Sequence, residues 1–359
     1  MKNKISKFVS IIVIIFLFCF NISKTNSAVS SNIVITKLST YPTYGRAFDV
    51  QVRDDVAFVA DLQTGLHIIN VSNPNSPTLI SQYEMDNAHK IHLVDNIAYV
   101  TEWEFGFEII NITDLENPVE LSHFNGSVMN TFYIENDCAF IDSFGLQILN
   151  VSDPQNPTEI IHYYDIGNTS AVYVEDNLAY VGTYIYGDFY GFTIVDVTDK
   201  TNPQKLGQYN TTDIVAGIRV VGDLALVANW GVGVLVFNVS NPENPVLLSN
   251  YFDGGASEIA YFVDSYAFVA DYNNGLEILD IKDPENPIEV GQFFDGGGAY
   301  GIAVKNNIAF VADDNQGLEI LEIVGLFPTE ESSGFSVLSI FIAFYTTIIL
   351  FKIAKKRKQ

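Results

Sequence analysis

The stretch at residues 275–290 reads GLEILDIKDPENPIEV, and close variants of it occur throughout the chain. Its opening glycine recurs at positions 65, 106, 145, 191, 233 and 317, at intervals of 39 to 46 residues. A second constant piece precedes each glycine, for example VAFVAD (56–61) and YAFVAD (266–271). The chain therefore contains seven copies of one unit, which is typical of repeat proteins.

Each copy contains four short apolar segments, which in the sixth copy are SEIAYFVD, YAFVAD, GLEILDI and PIEVGQFF. Val, Ile, Tyr and Phe dominate them and alternate with a period of two, which predicts β-strands. Gly, Asn, Asp and Pro occupy the joins and predict turns. Four strands in a unit of this length predict an all-β domain, a seven-bladed β-propeller over residues 31–325.

The two ends of the repeat array complement each other. The seventh copy stops after GLEILEIVG and lacks a fourth strand, whereas an extra piece, SNIVITKLSTYPTYG (31–45), precedes the first copy. That piece matches the fourth-strand segments, so we expect an N-terminal strand to complete the last blade and close the ring. A β-solenoid is the alternative fold, but it does not explain why the last copy lacks a fourth strand while an additional strand precedes the first copy.

The repeat resembles that of the LVIVD-repeat family. The matching pieces include GLHIINVSNPNSP, GFEIINITDLENP, GLQILNVSDPQNP and GLEILDIKDPENP, with Leu115 and Lys200 replacing the first proline in two copies. The resemblance covers about 290 residues. It implies a propeller, and it implies no activity, because members are largely cell-surface or secreted proteins without a defined role.

Both termini resemble targeting segments. In residues 1–28, three lysines precede an apolar run that small and polar residues follow, which predicts a signal peptide cleaved near Ala28; an uncleaved anchor is the alternative. Residues 335–354 are long and apolar enough for a transmembrane helix, preceded by a linker (326–334) and followed by a basic tail (355–359). We therefore expect a single-pass cell-membrane protein with an extracellular propeller and a cytoplasmic C-terminus.

Charge is unevenly distributed. All 43 acidic residues lie within residues 29–334, together with only nine of the 18 Lys and Arg. Such a field repels phosphate backbones, so we do not expect nucleic acid as a partner. The expected partners are the membrane, through the C-terminal helix, and an extracellular glycan, polymer or protein.

One face of the propeller is the expected ligand-binding face, because the loops between the second and third strands share it. These loops carry an acidic or amide residue followed in three blades by an aromatic one. The predicted face consists of Asp61, Glu102, Trp103, Asp142, Asn229, Trp230, Asp271, Tyr272 and Asp313. Aromatic rings with carboxylates suit sugar stacking or capture of a cation. The alternative is structural, because aspartate after a strand often binds turn backbone.

Catalytic and metal motifs are absent from the sequence. There is no HExxH, no GxSxG and no Cys/His spacing of a metal site, so no cofactor and no metal site are predicted and catalytic residues stay unassigned. Ca²⁺ remains an alternative because carboxylates cluster on the face. Residues 312–317, ADDNQG, do not fit the EF-hand spacing.

Three functions fit this sequence. The first is a binding or adhesion module at the cell surface, the second a surface polysaccharide hydrolase or lyase that uses carboxylates at the channel mouth, and the third a purely structural envelope protein. Asn125, Asn168 and Asn210 lie in glycosylation sequons at expected loops, so the protein is expected to be a glycoprotein.

Overall fold

A computed structural model describes residues 33–326 except 104, 127–130, 186–188 and 253. Within these residues the chain forms 28 β-strands and no α-helix, which confirms the all-β class. None of the described residues belongs to a helix that could cross a membrane. The predicted signal peptide (1–28), the transmembrane segment (335–354), the basic tail (355–359) and the linker beyond residue 326 lie outside the described residues.

The strands form seven four-stranded antiparallel sheets, the blades of a β-propeller. The strand that precedes the first blade is β1 (Val34–Tyr41). Blade 1 comprises β2 (Ala47–Arg53), β3 (Val56–Asp61), β4 (Gly65–Asn70) and β5 (Thr78–Tyr83). Blade 2 comprises β6 (Ala88–Val94), β7 (Ile97–Glu102), β8 (Gly106–Asn111) and β9 (Val119–Asn125). Blade 3 comprises β10 (Phe132–Glu135), β11 (Cys138–Ser143), β12 (Gly145–Asn150) and β13 (Thr158–Tyr163). Blade 4 comprises β14 (Asn168–Glu175), β15 (Leu178–Ile185), β16 (Phe189–Asp196) and β17 (Gln204–Asn210). Blade 5 comprises β18 (Val215–Val221), β19 (Leu224–Asn229), β20 (Gly233–Asn238) and β21 (Val246–Tyr251). Blade 6 comprises β22 (Ser257–Val263), β23 (Tyr266–Asp271), β24 (Gly275–Asp280) and β25 (Ile288–Phe293). Blade 7 contains β26 (Ala299–Lys305), β27 (Ile308–Asp313) and β28 (Gly317–Val324).

The turns on either side of the third strand explain which residues recur in the repeated motif. Gly275 has φ 77°, and a Cβ atom there would lie 2.3 Å from the carbonyl oxygen of Phe293, so only glycine fits. At the other end of β24, the Asp280 carboxylate accepts the backbone N–H of Lys282 at 2.9 Å. The Asp283 carboxylate accepts the N–H of Glu285 at 3.2 Å, which forms a second Asx turn. The motif therefore fixes the loops on both sides of the third strand.

The hydrophobic core is divided among the gaps between blades. The described residues contain seven buried apolar clusters, and each lies between one pair of adjacent blades. The cluster between blades 7 and 1 packs Phe310, Leu318 and Ile320 against Val59 and Ile69. The first strands contact one another in turn from β2 to β26, and β26 also contacts β2. These strands form a ring around a central channel.

The outer position of the seventh blade is filled from the N-terminus. Strand β1 pairs antiparallel with β28, from Val34 opposite Val324 to Tyr41 opposite Leu318. The Ser39 hydroxyl donates a 2.6 Å hydrogen bond to the carbonyl oxygen of Pro74 in blade 1. Outer-strand serines of other blades bond the next blade in the same way, as Ser249 does with Pro284. β1 therefore makes the contacts of an ordinary fourth strand.

Candidate functional site

A β-bulge shapes the channel mouth. In blades 1, 4, 5, 6 and 7 the first strand carries one extra residue opposite the end of the second strand, which shifts the register of pairing. In blade 2 this register shift spans two residues. A bulge locally re-aims side chains. The residues in the shifts are Phe48, His89, Lys90, Ser170, Ala216, Glu258 and Tyr300. Their aromatic members meet the loops between second and third strands.

Five rings form a continuous series that we call the aromatic arc: Trp103, His89, Phe48, Tyr300 and Tyr272. Successive ring centroids lie 5.9, 4.7, 4.3 and 5.2 Å apart, which are distances of aromatic contact. The arc crosses blades 2, 1, 7 and 6. Its two ends are the most open, because Trp103 is 43% and Tyr272 39% exposed.

Polar groups hold the middle of the arc in place. The Arg46 guanidinium lies 5.0 Å from the Phe48 ring centroid and donates to the Tyr300 hydroxyl at 3.1 Å. The Asp314 carboxylate accepts a 2.5 Å hydrogen bond from Arg46 Nε. Burial raises the pKa of Tyr300 to about 12, so its hydroxyl stays protonated. The arc is thus a fixed series of rings rather than a set of independent side chains, and its central ring, Phe48, is buried.

Trp230 lies farther round the mouth, in blade 5. Its ring is 51% exposed, and its Nε1 donates a 2.9 Å hydrogen bond to Glu258 in the next blade. Burial raises the pKa of Glu258, although Lys90 and the bond from Trp230 oppose the shift. Of the three aromatic residues predicted for the face, the structure joins Trp103 and Tyr272 in one arc, and Trp230 stands apart from it.

The acidic and amide residues of the predicted face are mostly buried and serve the turns. Asp61, Asp142, Asn229 and Asp271 are at most 1% exposed, and Asp313 is 4% exposed. Except for Asp313, their side chains bind nearby backbone: Asp61 Oδ1, for instance, accepts the N–H groups of Gln63 and Thr64 at 3.0 Å. This is the structural role that such residues have in Asx turns. These five residues therefore contribute little exposed surface at the mouth.

The channel below the mouth has a volume of about 430 Å³ and is lined by the first strands of all seven blades. Arg219 lines it, 5.3 Å from the Tyr173 ring centroid. Among the described residues, no carboxylate lies within 4.0 Å of the Arg219 guanidinium. Burial and the charge of Arg219 lower the pKa of His92 to about 4, so this imidazole is neutral. The channel thus differs in charge from the acidic exterior.

Among the residues that the structure describes, two clusters of side chains have the ligand types and spacing to hold a metal ion. In blade 2 the cluster consists of Glu102, Glu108 and His123, and in blade 7 it consists of Asp295, Asp313 and Glu319. Within each cluster the candidate ligand atoms lie within 4.8 Å of one another. Only Glu102 and Asp313 belong to the face that the sequence predicts, because the other members come from different strands.

The predicted glycosylation residues lie at strand ends. Asn125 ends β9 and Asn210 ends β17, and both are exposed, whereas Asn168 begins β14 and is half-buried. Thr169, in the sequon of Asn168, is fully buried and donates to the carbonyl oxygen of Ser143 at 3.0 Å. Glycosylation itself stays a prediction, and Asn125 and Asn210 are the more accessible positions.

Sequence reasoning missed three members of the arc: Phe48, His89 and Tyr300. Each follows an alanine that begins a first strand, at Ala47, Ala88 and Ala299. That recurring pair of alanine and aromatic residue is the signal that could have found them. The bulge that turns these rings toward the mouth depends on strand register, which the sequence alone does not display.

Comparison with known proteins supports the fold and leaves the ligand open. A family model described as LVIVD repeat matches residues 44–85, 166–211, 214–253, 254–295 and 296–327, more than half of the chain. No curated protein matches. The crystal structure of the computationally designed Ika8 protein is similar, with a TM-score of 0.58 and 10% sequence identity over 80% of this chain and 99% of that one. At this identity the likeness concerns the fold alone.

Proposed function

Since the chain belongs to the LVIVD repeat family and folds as a seven-bladed β-propeller, we propose that it is a binding module that takes a glycan against the aromatic arc. The observation that carries the proposal is the run of rings across four blades, fixed at its centre by Arg46 and open at Trp103 and Tyr272. Rigid scaffolds commonly present binding surfaces on loops of this kind.

A sugar suits this surface because flat aromatic rings cover the apolar faces of pyranoses, while neighbouring polar groups bond their hydroxyls. The exposed ends of the arc supply the rings, and the Tyr300 hydroxyl and the Arg46 guanidinium supply the polar groups. Arg219 in the channel below has no acidic partner within 4.0 Å among the described residues. We therefore expect glycans that carry a carboxylate to bind more tightly than neutral ones.

The proposal includes a location at the cell surface. It is supported by the signal-like residues 1–28 and by the apolar segment 335–354 with its basic tail. Such a protein remains in the membrane fraction after alkaline extraction, and protease added to intact cells removes its propeller. Release by alkaline extraction, or protection of the propeller in intact cells, contradicts this location.

The proposal also assigns β1 the task of keeping the ring closed. Its support is the pairing of β1 with β28 and the bond from Ser39 to Pro74, which links blade 7 to blade 1. Without β1, the edge of β28 is unpaired and Leu318 and Ile320, which are fully buried, lose a covering strand. A chain without residues 33–41 is expected to aggregate or to melt at a much lower temperature than the full chain.

The binding proposal is tested with the full-length chain on a glycan array and then by titration with the best ligand. Trp103→Ala and Tyr272→Ala are each expected to weaken binding about fivefold or more, since stacking of a ligand ring on an aromatic side chain, as measured for nucleobases, contributes about 1–3 kcal/mol. Phe144→Ala is the matched control, because Phe144 is 55% exposed in the corresponding loop of blade 3, away from the arc. Equal affinity of all three variants and the wild type refutes the arc as the binding surface.

A further inference from the structure

Blades 2, 6 and 7 carry a pair of carboxylates at equivalent positions; in blade 6 these are Asp271 and Glu277, and Gln292 lies opposite Glu277 on the outer strand. Glu102 and Asp313 each end a second strand and lie opposite the motif glycine of the third strand. Glu108 and Glu319 each follow that glycine by two residues. In blades 2 and 7 the side chains of the pair come together at the mouth end of the blade. Two carboxyl groups at such a distance are not both ionised unless a cation compensates their charge; otherwise they share a proton.

In blade 7 an ammonium group contacts one carboxylate of the pair, Glu319, and also Asp295, which precedes the blade. Lys37 Nζ, from β1, contacts Glu319 Oε1 at 2.5 Å and Asp295 Oδ2 at 2.7 Å. Burial lowers the pKa of Lys37, but its hydrogen bonds to Asp295 and Glu319 outweigh burial and raise it. The blade 7 cluster is therefore filled by a positively charged group of the chain itself.

Blade 2 has no corresponding lysine. Among the described residues, no Lys or Arg lies within 4.0 Å of Glu102 or Glu108. The outer strand provides His123 instead, whose Nδ1 lies 3.6 Å from Glu102 Oε2. The Tyr83 hydroxyl of blade 1 forms a hydrogen bond with the Glu108 carboxylate, while the Oε2 atom of Glu108 is buried without a partner in the described part of the chain. This site has the carboxylates of blade 7 without its cation.

We propose that Glu102, Glu108 and His123 bind one divalent transition-metal ion, of the kind represented by Zn²⁺, in the place that the lysine ammonium takes in blade 7. Two carboxylate oxygens and one imidazole nitrogen suit Zn²⁺ and its neighbours, whereas Ca²⁺ and Mg²⁺ favour sites made of oxygen alone. Ligand atoms about 2.1 Å from an ion lie at most about 4.2 Å apart. Atoms that already lie within 4.8 Å reach that geometry through small side-chain rotations. Water completes the coordination, as in other three-ligand zinc sites.

The direct test is isothermal titration of the full-length chain, freed of metal by a chelator, with Zn²⁺ alone. One ion per chain is expected to bind the wild type, with an affinity at least tenfold higher than for Ca²⁺. Glu102→Gln and His123→Asn are each expected to weaken Zn²⁺ binding by 10-fold or more. Glu116→Gln is the matched control, because it makes the same charge change at an exposed residue of the same blade and leaves the three proposed ligands intact.

The variants must remain folded, so each is first compared with the wild type by circular dichroism and thermal melting. Co²⁺ provides a second readout that does not depend on the variants, because imidazole and carboxylate ligation give it characteristic visible absorption bands. The proposal is overturned if the wild type binds no Zn²⁺, or if folded Glu102→Gln and His123→Asn proteins bind it as tightly as the Glu116→Gln control does.

Discussion

Blades 2 and 7 place carboxylates at the same two positions, yet different outer strands lie beside them. In blade 7 the N-terminal strand supplies Lys37, whereas in blade 2 the strand β9 supplies His123. The inner three strands of each blade keep the repeat geometry, so chemical differences between blades can arise from the fourth strand. We therefore expect the blade 7 cluster to stabilise the fold and the blade 2 cluster to bind an ion.

The largest expected effect comes from Lys37→Met, which removes the ammonium from the blade 7 cluster. Hydrogen bonds that involve a charged group contribute about 1.5–3 kcal/mol, and we expect a loss of about 2–3 kcal/mol because Lys37, which is 28% exposed, donates to both Asp295 and Glu319. Urea unfolding measures the loss. Lys205→Met, at an exposed lysine on the outer strand of blade 4, is the control, and an equal loss in both variants removes the distinction that we draw for Lys37.

The next effect is a dependence of stability on pH. Burial raises the pKa of Glu319 to about 8, against an unfolded value near 4.5, while Lys37 opposes the shift and Asp313 adds to it. The folded protein therefore holds a proton that the unfolded chain has released, and this contribution to stability is lost as pH rises from about 5 to 8.

Thermal melting between pH 5 and 8 tests this contribution. Glu319→Gln is expected to reduce the loss of folding stability between pH 5 and 8 by on the order of 1–2 kcal/mol, after allowance for solvent screening. Glu285→Gln, at an exposed residue of blade 6, is expected to leave the wild-type slope unchanged. A Glu319→Gln protein with the full wild-type slope contradicts the assigned titration.

A smaller effect is expected when the histidine of the blade 2 cluster is replaced by a lysine like that of the blade 7 cluster. His123→Lys places an ammonium beside Glu102 and Glu108 and should stabilise the metal-free protein by about 1 kcal/mol. It should also abolish Zn²⁺ binding. His162→Lys is the matched control: His162 is the equivalent residue in blade 3, where Gln147 replaces the second carboxylate. A similar gain in stability in both variants indicates that the carboxylate pair does not cause the stabilisation.

The smallest expected effect is that of Glu108→Gln in the absence of metal. Burial and, after it, the charge of Glu108 raise the pKa of Glu102 to about 7. Removing that charge should therefore stabilise the metal-free protein by about 0.5 kcal/mol, the scale of a partly exposed charge interaction. Saturating Zn²⁺ should then raise the melting temperature of the wild type and not that of the variant. Destabilisation of the metal-free variant argues against repulsion between Glu102 and Glu108.

The blades could be predicted from the sequence because each depends on local patterns. The motif glycine, exemplified by Gly275, and the Asx turns at Asp280 and Asp283 act within a few residues, so they are visible as spacing. The seven-bladed propeller is accordingly confirmed. Glycan binding, the membrane anchor and glycosylation stay predictions, since the described residues do not test them.

The candidate sites were less predictable because they depend on register and on distant contacts. Lys37 meets Glu319 across 282 positions of the chain, and His123 meets Glu102 only through the alignment of three strands. Aspartate in a turn suits either a ligand or the backbone, and the structure assigns Asp61 to the backbone. The bulges that bring Phe48 and Tyr300 to the mouth likewise appear only in the paired strands.

A crystal of the full-length chain grown with Zn²⁺, with anomalous diffraction recorded above and below the zinc edge, tests the comparison most directly. We predict one strong anomalous peak about 2.1 Å from the carboxylate oxygens of Glu102 and Glu108 and from a ring nitrogen of His123. No peak is expected among Asp295, Asp313 and Glu319, where Lys37 lies. An empty blade 2 cluster, or zinc at the blade 7 cluster in place of the lysine, would contradict the account.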